Sequence, residues 1–166
     1  IQQFKDDLHP GDAVILNDPF RGGTHLPDIT IVSPVFFRES DRLQLIGFVA
    51  SRAHHADVGG MTPGSMPVGR ELFQEGLIIP PVKLVRAGQT DQAILDLILA
   101  NVRTPVERLG DLLAQLAANQ RGSDRLQEMV IRYGLLEIHT AMQALLAYSE
   151  RMTRNLISDL PDGTYT

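Results

Sequence analysis

Two short polar stretches hold most of the residues in this chain that could do chemistry. One is Asn17-Asp18-Pro19-Phe20-Arg21-Gly22-Gly23-Thr24-His25-Leu26-Pro27-Asp28; the other is Ser51-Arg52-Ala53-His54-His55-Ala56-Asp57-Val58-Gly59-Gly60. Each sets a histidine three residues ahead of an aspartate, His25 before Asp28 and His54 before Asp57, and each contains a Gly-Gly pair. Imidazole nitrogens and carboxylate oxygens on two turns that a sheet could bring together are what a divalent cation needs. The mixed set suits Mn²⁺, Fe²⁺ or Zn²⁺ better than Ca²⁺. The candidate ligands are the two pairs, His25 with Asp28 and His54 with Asp57, with Asp18 as a further carboxylate.

His54 and His55 are neighbours, and neighbours on a strand face opposite sides, so only one joins such a site easily. A regular strand pairs His55 with Asp57 on one face. A turn beginning at Ala53 lets His54 and Asp57 repeat the His25–Asp28 arrangement, and the repeated spacing favours His54. Bland readings stand beside these: Asp28 as an Asx-turn cap, and either histidine as a hydrogen-bonded core residue. Arg21 and Arg52 could clamp a substrate carboxylate through two parallel N–H groups, though among 13 arginines a surface role is the more ordinary reading for either. Gly22-Gly23-Thr24 could cradle an anion but lacks the lysine of a nucleotide loop, and Gly-Gly more often marks a tight turn. Glu75, just before Gly76, is a candidate base or orienting group.

The elements around these residues follow from periodicity. Residues 13–16 form a short apolar strand delivering Asn17 and Asp18. Residues 29–37 alternate, with Ile29, Ile31 and Val35 on one face, and Pro34 demands a bulge or an edge. Residues 38–42 are a polar connection, and residues 43–50 return as the second arm of a hairpin. Such a hairpin sets Asp28 beside the region of His54. Residues 59–69, rich in Gly and Pro, read as a long irregular loop, and residues 71–75 as one helical turn. Ile78-Ile79-Pro80-Pro81-Val82 is extended, each Pro biasing its predecessor away from helix.

Beyond Gly88 the pattern turns helical: residues 91–101 place Ile94, Leu95, Ile98 and Leu99 on one stripe. Thr104-Pro105-Val106-Glu107 is a helix start with Pro at the first position. Val106, Leu109, Leu112, Leu113 and Leu116 follow, Gly122 is a possible interruption, and Gly134 closes the helix. Ile138, Met142, Leu145, Met152 and Leu156 mark a last helix, with Glu150 and Arg154 as an i, i+4 pair. The two long helices are expected to pack as an antiparallel hairpin. The fold class is therefore α+β: a small, mostly antiparallel sheet bearing the site in residues 1–88, then a helical region in residues 89–160.

Bulk properties limit the function classes. A chain of 166 residues with 43% hydrophobic content can bury a core of its own. A net charge of -5 without a basic cluster argues against nucleic acid. No apolar run approaches a membrane span, and cytoplasm is the default location. There is no cysteine, which excludes disulfides and thiolate metal sites. The first residue is not Met, and Asp162-Gly163-Thr164-Tyr165-Thr166 reads as a turn entering a strand, so the chain is expected to be an internal piece of a longer protein.

The stretch from Asn17 to Asp28 resembles the hallmark segment of the hydantoinase B/oxoprolinase family. Ala53-His54-His55-Ala56-Asp57-Val58-Gly59-Gly60 and Phe73-Gln74-Glu75-Gly76-Leu77-Ile78-Ile79-Pro80-Pro81-Val82-Lys83 are similar to its next two blocks. Ala100-Asn101-Val102-Arg103-Thr104-Pro105 and Gly110-Asp111-Leu112 match a further block. The resemblance implies an ATP-dependent enzyme in which a hydantoinase A-type partner binds ATP and the B-type part carries metal and substrate chemistry. Implied activities are opening of cyclic amides such as 5-oxoproline or N-methylhydantoin and, alternatively, carboxylation of acetone or acetophenone. In carboxylases of this kind a His-x-x-Asp pair and a later His hold the metal, positions that correspond to His25, Asp28 and His54. The implied chemistry has ATP phosphorylating an amide or enolate oxygen, with Asp57 or His55 as base or ligand-orienting group. Family members are much longer, so this piece is not expected to act alone. A non-catalytic, subunit-interface role is the remaining alternative.

Overall fold

The longest ladder in the molecule is the hairpin that the alternating pattern calls for. The computed structural model describes residues 2–164, and in it β2 (Asp28–Glu39) pairs antiparallel with β3 (Arg42–His54) along its whole length. The register sets Asp28 opposite His54 and Glu39 opposite Arg42. Pro34 is accommodated in two ways. β1 (Ala13–Leu16) pairs with β2 only from Thr30 to Val32, so Pro34 lies past its end, where no β1 carbonyl needs an N–H. The register then shifts between Val35 and Phe36, the expected bulge.

β1 is followed in the sheet by β4 (Val82–Arg86) and the short β5 (Gln89–Thr90), giving the antiparallel order β3-β2-β1-β4-β5. The extended Ile78–Pro81 segment leads into β4 rather than forming a strand itself. Its Ile79 carbonyl accepts from the backbone N–H groups of both Asn17 and Asp18. α1 (Gln92–Ala100) begins where expected: the Asp91 side chain accepts from the Ile94 N–H, and Asn101 closes the helix. α2 (Pro105–Tyr133) starts at the signalled proline, and the Thr104 hydroxyl accepts from the Arg108 guanidinium at 3.0 Å.

The core lies between one face of the sheet and these two helices. Ile15, Ile29 and Ile31 meet Leu95 and Ile98 of α1 and Leu112 of α2, joined by Leu26 and Ile79 from the flanking segments. Val106 and Leu113, placed on the α2 stripe by periodicity, are exposed instead. Gly122 does not interrupt α2. A Cβ there would stand 3.1 Å from a Val49 methyl, so the glycine admits close approach of the helix to β3.

Two compact units can be separated, residues 1–125 and residues 126–166. The second contains the end of α2, Gly134 at a positive φ of 87°, and α3 (Leu135–Ser158). Glu150 and Arg154 form the anticipated pair on α3 at 2.8 Å. Within the second unit, Leu145, Met152 and Leu156 of the α3 stripe are exposed and Ile138 is buried. The strand expected beyond Gly163 falls on Tyr165 and Thr166, outside the described residues. Among the described residues no helix is long and apolar enough to cross a membrane.

Asn17 ties the loop after β1 to the rest. Fully buried, it donates to the carbonyls of Leu26 (2.8 Å) and Leu77 (2.9 Å) and accepts from the Ile79 N–H (2.7 Å). Elsewhere the buried Lys83 ammonium sits between Asp12 (2.9 Å) and Asp7 (3.0 Å); burial opposes its charge, but the two carboxylates hold its pKa above the usual lysine value. Replacing Asn17 with Ala leaves three backbone groups without partners. Asn17→Ala is expected to cost roughly 3 kcal/mol in urea unfolding, the desolvation penalty of those groups; a loss under about 0.5 kcal/mol would show that water replaces them freely.

Candidate metal centre

The hairpin register brings one carboxylate between two imidazoles. Asp28 opens β2 and His54 ends β3 directly across from it; His25 lies on the turn immediately before, whose carbonyl accepts the Asp28 N–H. Asp28 Oδ2 is 3.1 Å from His25 Nδ1, and Oδ1 is 3.0 Å from His54 Nδ1. The two rings stack with centroids 5.4 Å apart and planes inclined by 26°. The hydrogen bond from His25, opposed by partial burial and reinforced by the His54 bond, holds the Asp28 carboxyl below its ordinary pKa. An ionised carboxylate only accepts, so each Nδ1 facing Asp28 is the donor.

Two nitrogens and one carboxylate oxygen from these residues lie within 4.8 Å of one another. All three side chains are partly open to solvent, Asp28 least. Three converging N and O donors with an open side fit a catalytic cation site, where protein supplies part of the shell and water or substrate the rest.

Arg52, two residues before His54 on β3, reaches the same neighbourhood. Its Nε donates to Thr30 Oγ1 at 2.8 Å, and its terminal nitrogens make longer contacts to Thr24 Oγ1 and the Gly22 carbonyl. Thr24 in turn donates to Asp28 Oδ2 at 3.3 Å. Arg21 instead pairs with Asp18 at 3.6 Å on the surface. Asp18 is drawn away from the trio: its Oδ1 accepts from the Phe20 N–H, capping the 3₁₀ turn Pro19–Arg21. Gly23 does not cradle an anion, because its N–H donates to the Asp18 carbonyl at 2.8 Å. A Cβ on Gly23 would stand 2.1 Å from the Asn17 carbonyl oxygen, so Gly23 is glycine for lack of space, whereas Gly22 has room and is glycine for its positive φ of 104°.

The second polar stretch splits between the two faces of the sheet. His55, only 1% exposed, turns into the core, where its Nε2 meets Gln115 Oε1 at 2.9 Å. Its Nδ1 has no hydrogen-bond partner among the described residues and borders a small apolar cavity lined by Ile29, Val58 and Leu112. Burial pushes its pKa down, so the ring is neutral. Asp57 does not pair with His54 as the doubled spacing suggested. It accepts from the N–H groups of Gly59, Gly64 and Arg103 and from the Arg103 guanidinium (3.0 Å), which also donates to the Gly60 and Thr62 carbonyls. That knot fastens the glycine-rich loop to the α1–α2 connection. Burial opposes the Asp57 charge, but these donors outweigh it and keep its pKa low. Glu75 is half-buried at the end of the 3₁₀ turn Leu72–Gln74 and is not among the converging ligands.

Three contributors had no assigned role in the motif reading: Asn17, Arg103 and Gln115. A signal for the last existed, since Gln115 and Asn119 are amides interleaved with the apolar stripe of α2, where a polar side chain must find buried partners.

A sequence model of the Hydantoinase B/oxoprolinase family matches residues 1–166. The chain belongs to this family. 5-oxoprolinase 1 of Arabidopsis thaliana is 36% identical over 173 residues, which cover 96% of this chain and 13% of that protein. Caprolactamase subunit beta of Pseudomonas jessenii is 35% identical over 164 residues, covering 98% of this chain and 28% of the relative. The crystal structure of the ATP-dependent caprolactamase from that organism shares the fold with a TM-score of 0.85 at 34% identity, over 98% of this chain and 28% of the other. Nucleotide-free acetone carboxylase gives a TM-score of 0.72 at 25% identity, over 81% of this chain and 18% of the other. The chain thus spans little more than a quarter, or less, of the proteins it matches.

The Asp57 knot makes a pH-dependent prediction. A carboxylate whose folded pKa is depressed stabilises above its unfolded pKa and ceases to as pH falls through the folded value. Asp57→Asn is expected to lower stability by roughly 1–3 kcal/mol at pH 7, the range for hydrogen bonds to a charged group. The gap between wild type and variant should close below about pH 4, near the ordinary carboxyl pKa. Urea unfolding of both proteins across pH 3–7 checks this; a gap independent of pH would mean the charge contributes nothing.

Proposed function

We propose that this chain carries the metal and substrate chemistry of an ATP-dependent cyclic-amide hydrolase of the 5-oxoproline or hydantoin type. It acts with a hydantoinase A-type subunit or region that binds ATP. The observation carrying the reading is Asp28 held between His25 and His54 on an open face of the sheet. Membership of a family that includes a 5-oxoprolinase and a caprolactamase supplies the reaction class.

His25, Asp28 and His54 would hold Mn²⁺, Zn²⁺ or Fe²⁺. When bound, such an ion polarises a carbonyl or lowers the pKa of a bound water. The chain's own residues do the rest. Asp28 sets the orientation of both imidazoles through its two oxygens. Arg52, adjoining the trio through Thr24, is the residue proposed to anchor a substrate carboxylate, with Arg21 farther out. His55, on the core side beside His54, acts as the ligand-orienting group and Glu75 is the proposed base; Asp57 takes either role only if its knot with Arg103 opens. Asp18 serves as a ligand only if its turn rearranges, because its oxygens are taken by Phe20 and Arg21.

The fold shared with acetone carboxylase supports a second reading, ATP-dependent carboxylation of a ketone on the same trio. ATP turnover by the intact protein and its partner with 5-oxoproline or hydantoin, against acetone plus bicarbonate, separates the two. An intact protein without stoichiometric transition metal would favour the third reading, a non-catalytic interface module.

In the intact enzyme, His25→Ala and Asp28→Ala are each expected to abolish metal retention and lower kcat by about a hundredfold or more, since even groups behind the ligands are worth 10–100-fold. ATP binding by the partner should be unchanged. Normal kcat in either variant would remove these residues from the chemistry.

A further inference from the structure

The trio is assembled by the ends of two strands, and a single side chain from α2 touches the backbone of one and the next residue of the other. Gln115, buried at 6% exposure, donates from Nε2 to the Ile29 carbonyl at 3.0 Å, one residue after Asp28. The same nitrogen makes a longer contact, 3.4 Å, to the Ser51 carbonyl on β3. Its Oε1 lies 2.9 Å from Nε2 of His55, one residue after His54. Because both amide protons point to carbonyls, Oε1 faces His55 as an acceptor and the proton resides on His55 Nε2. The α2 backbone adds to the grip, the Gln115 carbonyl accepting from the Ser51 hydroxyl at 3.4 Å. One helical turn on, Asn119 grips β2 alone, donating to the Ile31 carbonyl (3.0 Å) and Ser33 Oγ (3.2 Å).

We infer that Gln115 is a positioning residue for the His25–Asp28–His54 trio, setting the separation and twist of the two strand ends that carry Asp28 and His54. This rests on the proposed metal site. A β-ladder fixes register but leaves the end of a hairpin free to splay, and here the end holds the ligands. The amide spans both arms from a rigid helix, so a ring on one strand and a carboxylate on the other meet without their own side chains supplying the constraint. The His55 ring is the lever: its hydrogen bond to Gln115 stops the residue beside His54 from rotating. Asn119 holds β2 alone, by the same amide chemistry at positions that carry no ligand, and so provides a control that grips one arm of the hairpin without bridging the two.

The test uses the intact protein and Mn²⁺ alone. Gln115→Met removes all three polar contacts at similar volume; Asn119→Leu removes the contacts to β2 one turn away. Both are expected to lower the unfolding temperature. Only Gln115→Met should weaken Mn²⁺ binding, by 10–100-fold, and change the Mn²⁺ EPR spectrum, with Asn119→Leu staying within about twofold of wild type. Equal losses in the two variants, or no loss in Gln115→Met, would overturn the assignment and leave Gln115 a structural residue. If Gln115→Met does not fold, Gln115→Glu takes its place: it keeps an acceptor for His55 and loses a donor. A tenfold weaker Kd is then expected, and an unchanged Kd counts against the inference. Wild-type protein that takes up no Mn²⁺ would refute the metal reading by itself. Gln115 is then judged on the ring NMR signals of ¹³C-labelled His25 and His54 in metal-free protein. A shift in Gln115→Met but not in Asn119→Leu supports positioning; unmoved signals overturn it.

Discussion

Asp28 accepting from two imidazoles is the interaction on which the rest of the arrangement turns, and it exists only in one register of the β2–β3 ladder. Asp28 and His54 face each other because Glu39 faces Arg42 at the far end and one bulge near Pro34 absorbs the mismatch between. A slip of one residue would send His55 to the solvent face and His54 into the core. Burial of Ile29, Ile31 and Val35 against the helices resists that slip, since the same shift would expose all three. Hydrophobic patterning and ligand geometry are thus one constraint seen from two sides of a strand.

Around this register the molecule spends its buried polar groups on loops. Asn17 ties the first ligand loop to the segment leading into β4, Asp57 and Arg103 tie the glycine-rich loop to the α1–α2 connection, and Gln115 ties the hairpin to α2. Each uses a short, fully hydrogen-bonded side chain where a backbone would otherwise be unpaired. The trio itself stays partly open to solvent. That division, hydrogen-bonded loops beneath and a solvent-open trio of N and O groups above, is what a site for an ion and a small polar substrate requires.

Much of this was legible in the residue order, because the deciding physics is local. Alternating β-branched residues specified the hairpin, Asp91 and Pro105 marked the helix starts, and a polar connection at residues 38–42 implied that Asp28 would meet His54. The doubled His-x-x-Asp spacing misled on one point. His54 shares Asp28 with His25, and Asp57 closes a loop, because what places a carboxylate on a turn is the set of N–H groups that surround it. Periodicity placed α3 where it stands, but an apolar stripe says only that a face is sticky and nothing of what covers it.

What the sequence by itself determined was the order of the elements, the pairing of β2 with β3, which joins residues within about thirty positions of one another, and a shortlist of His and Asp candidates. Tertiary structure decided which of two adjacent histidines joins them, that Asp18 and Asp57 do not, and that Gln115 reaches across some 60 residues to hold His55. The physical reason is that orientation at a strand end depends on contacts from another layer. A strand's alternation fixes which residues oppose; only the helix packed beneath fixes which way each side chain is held.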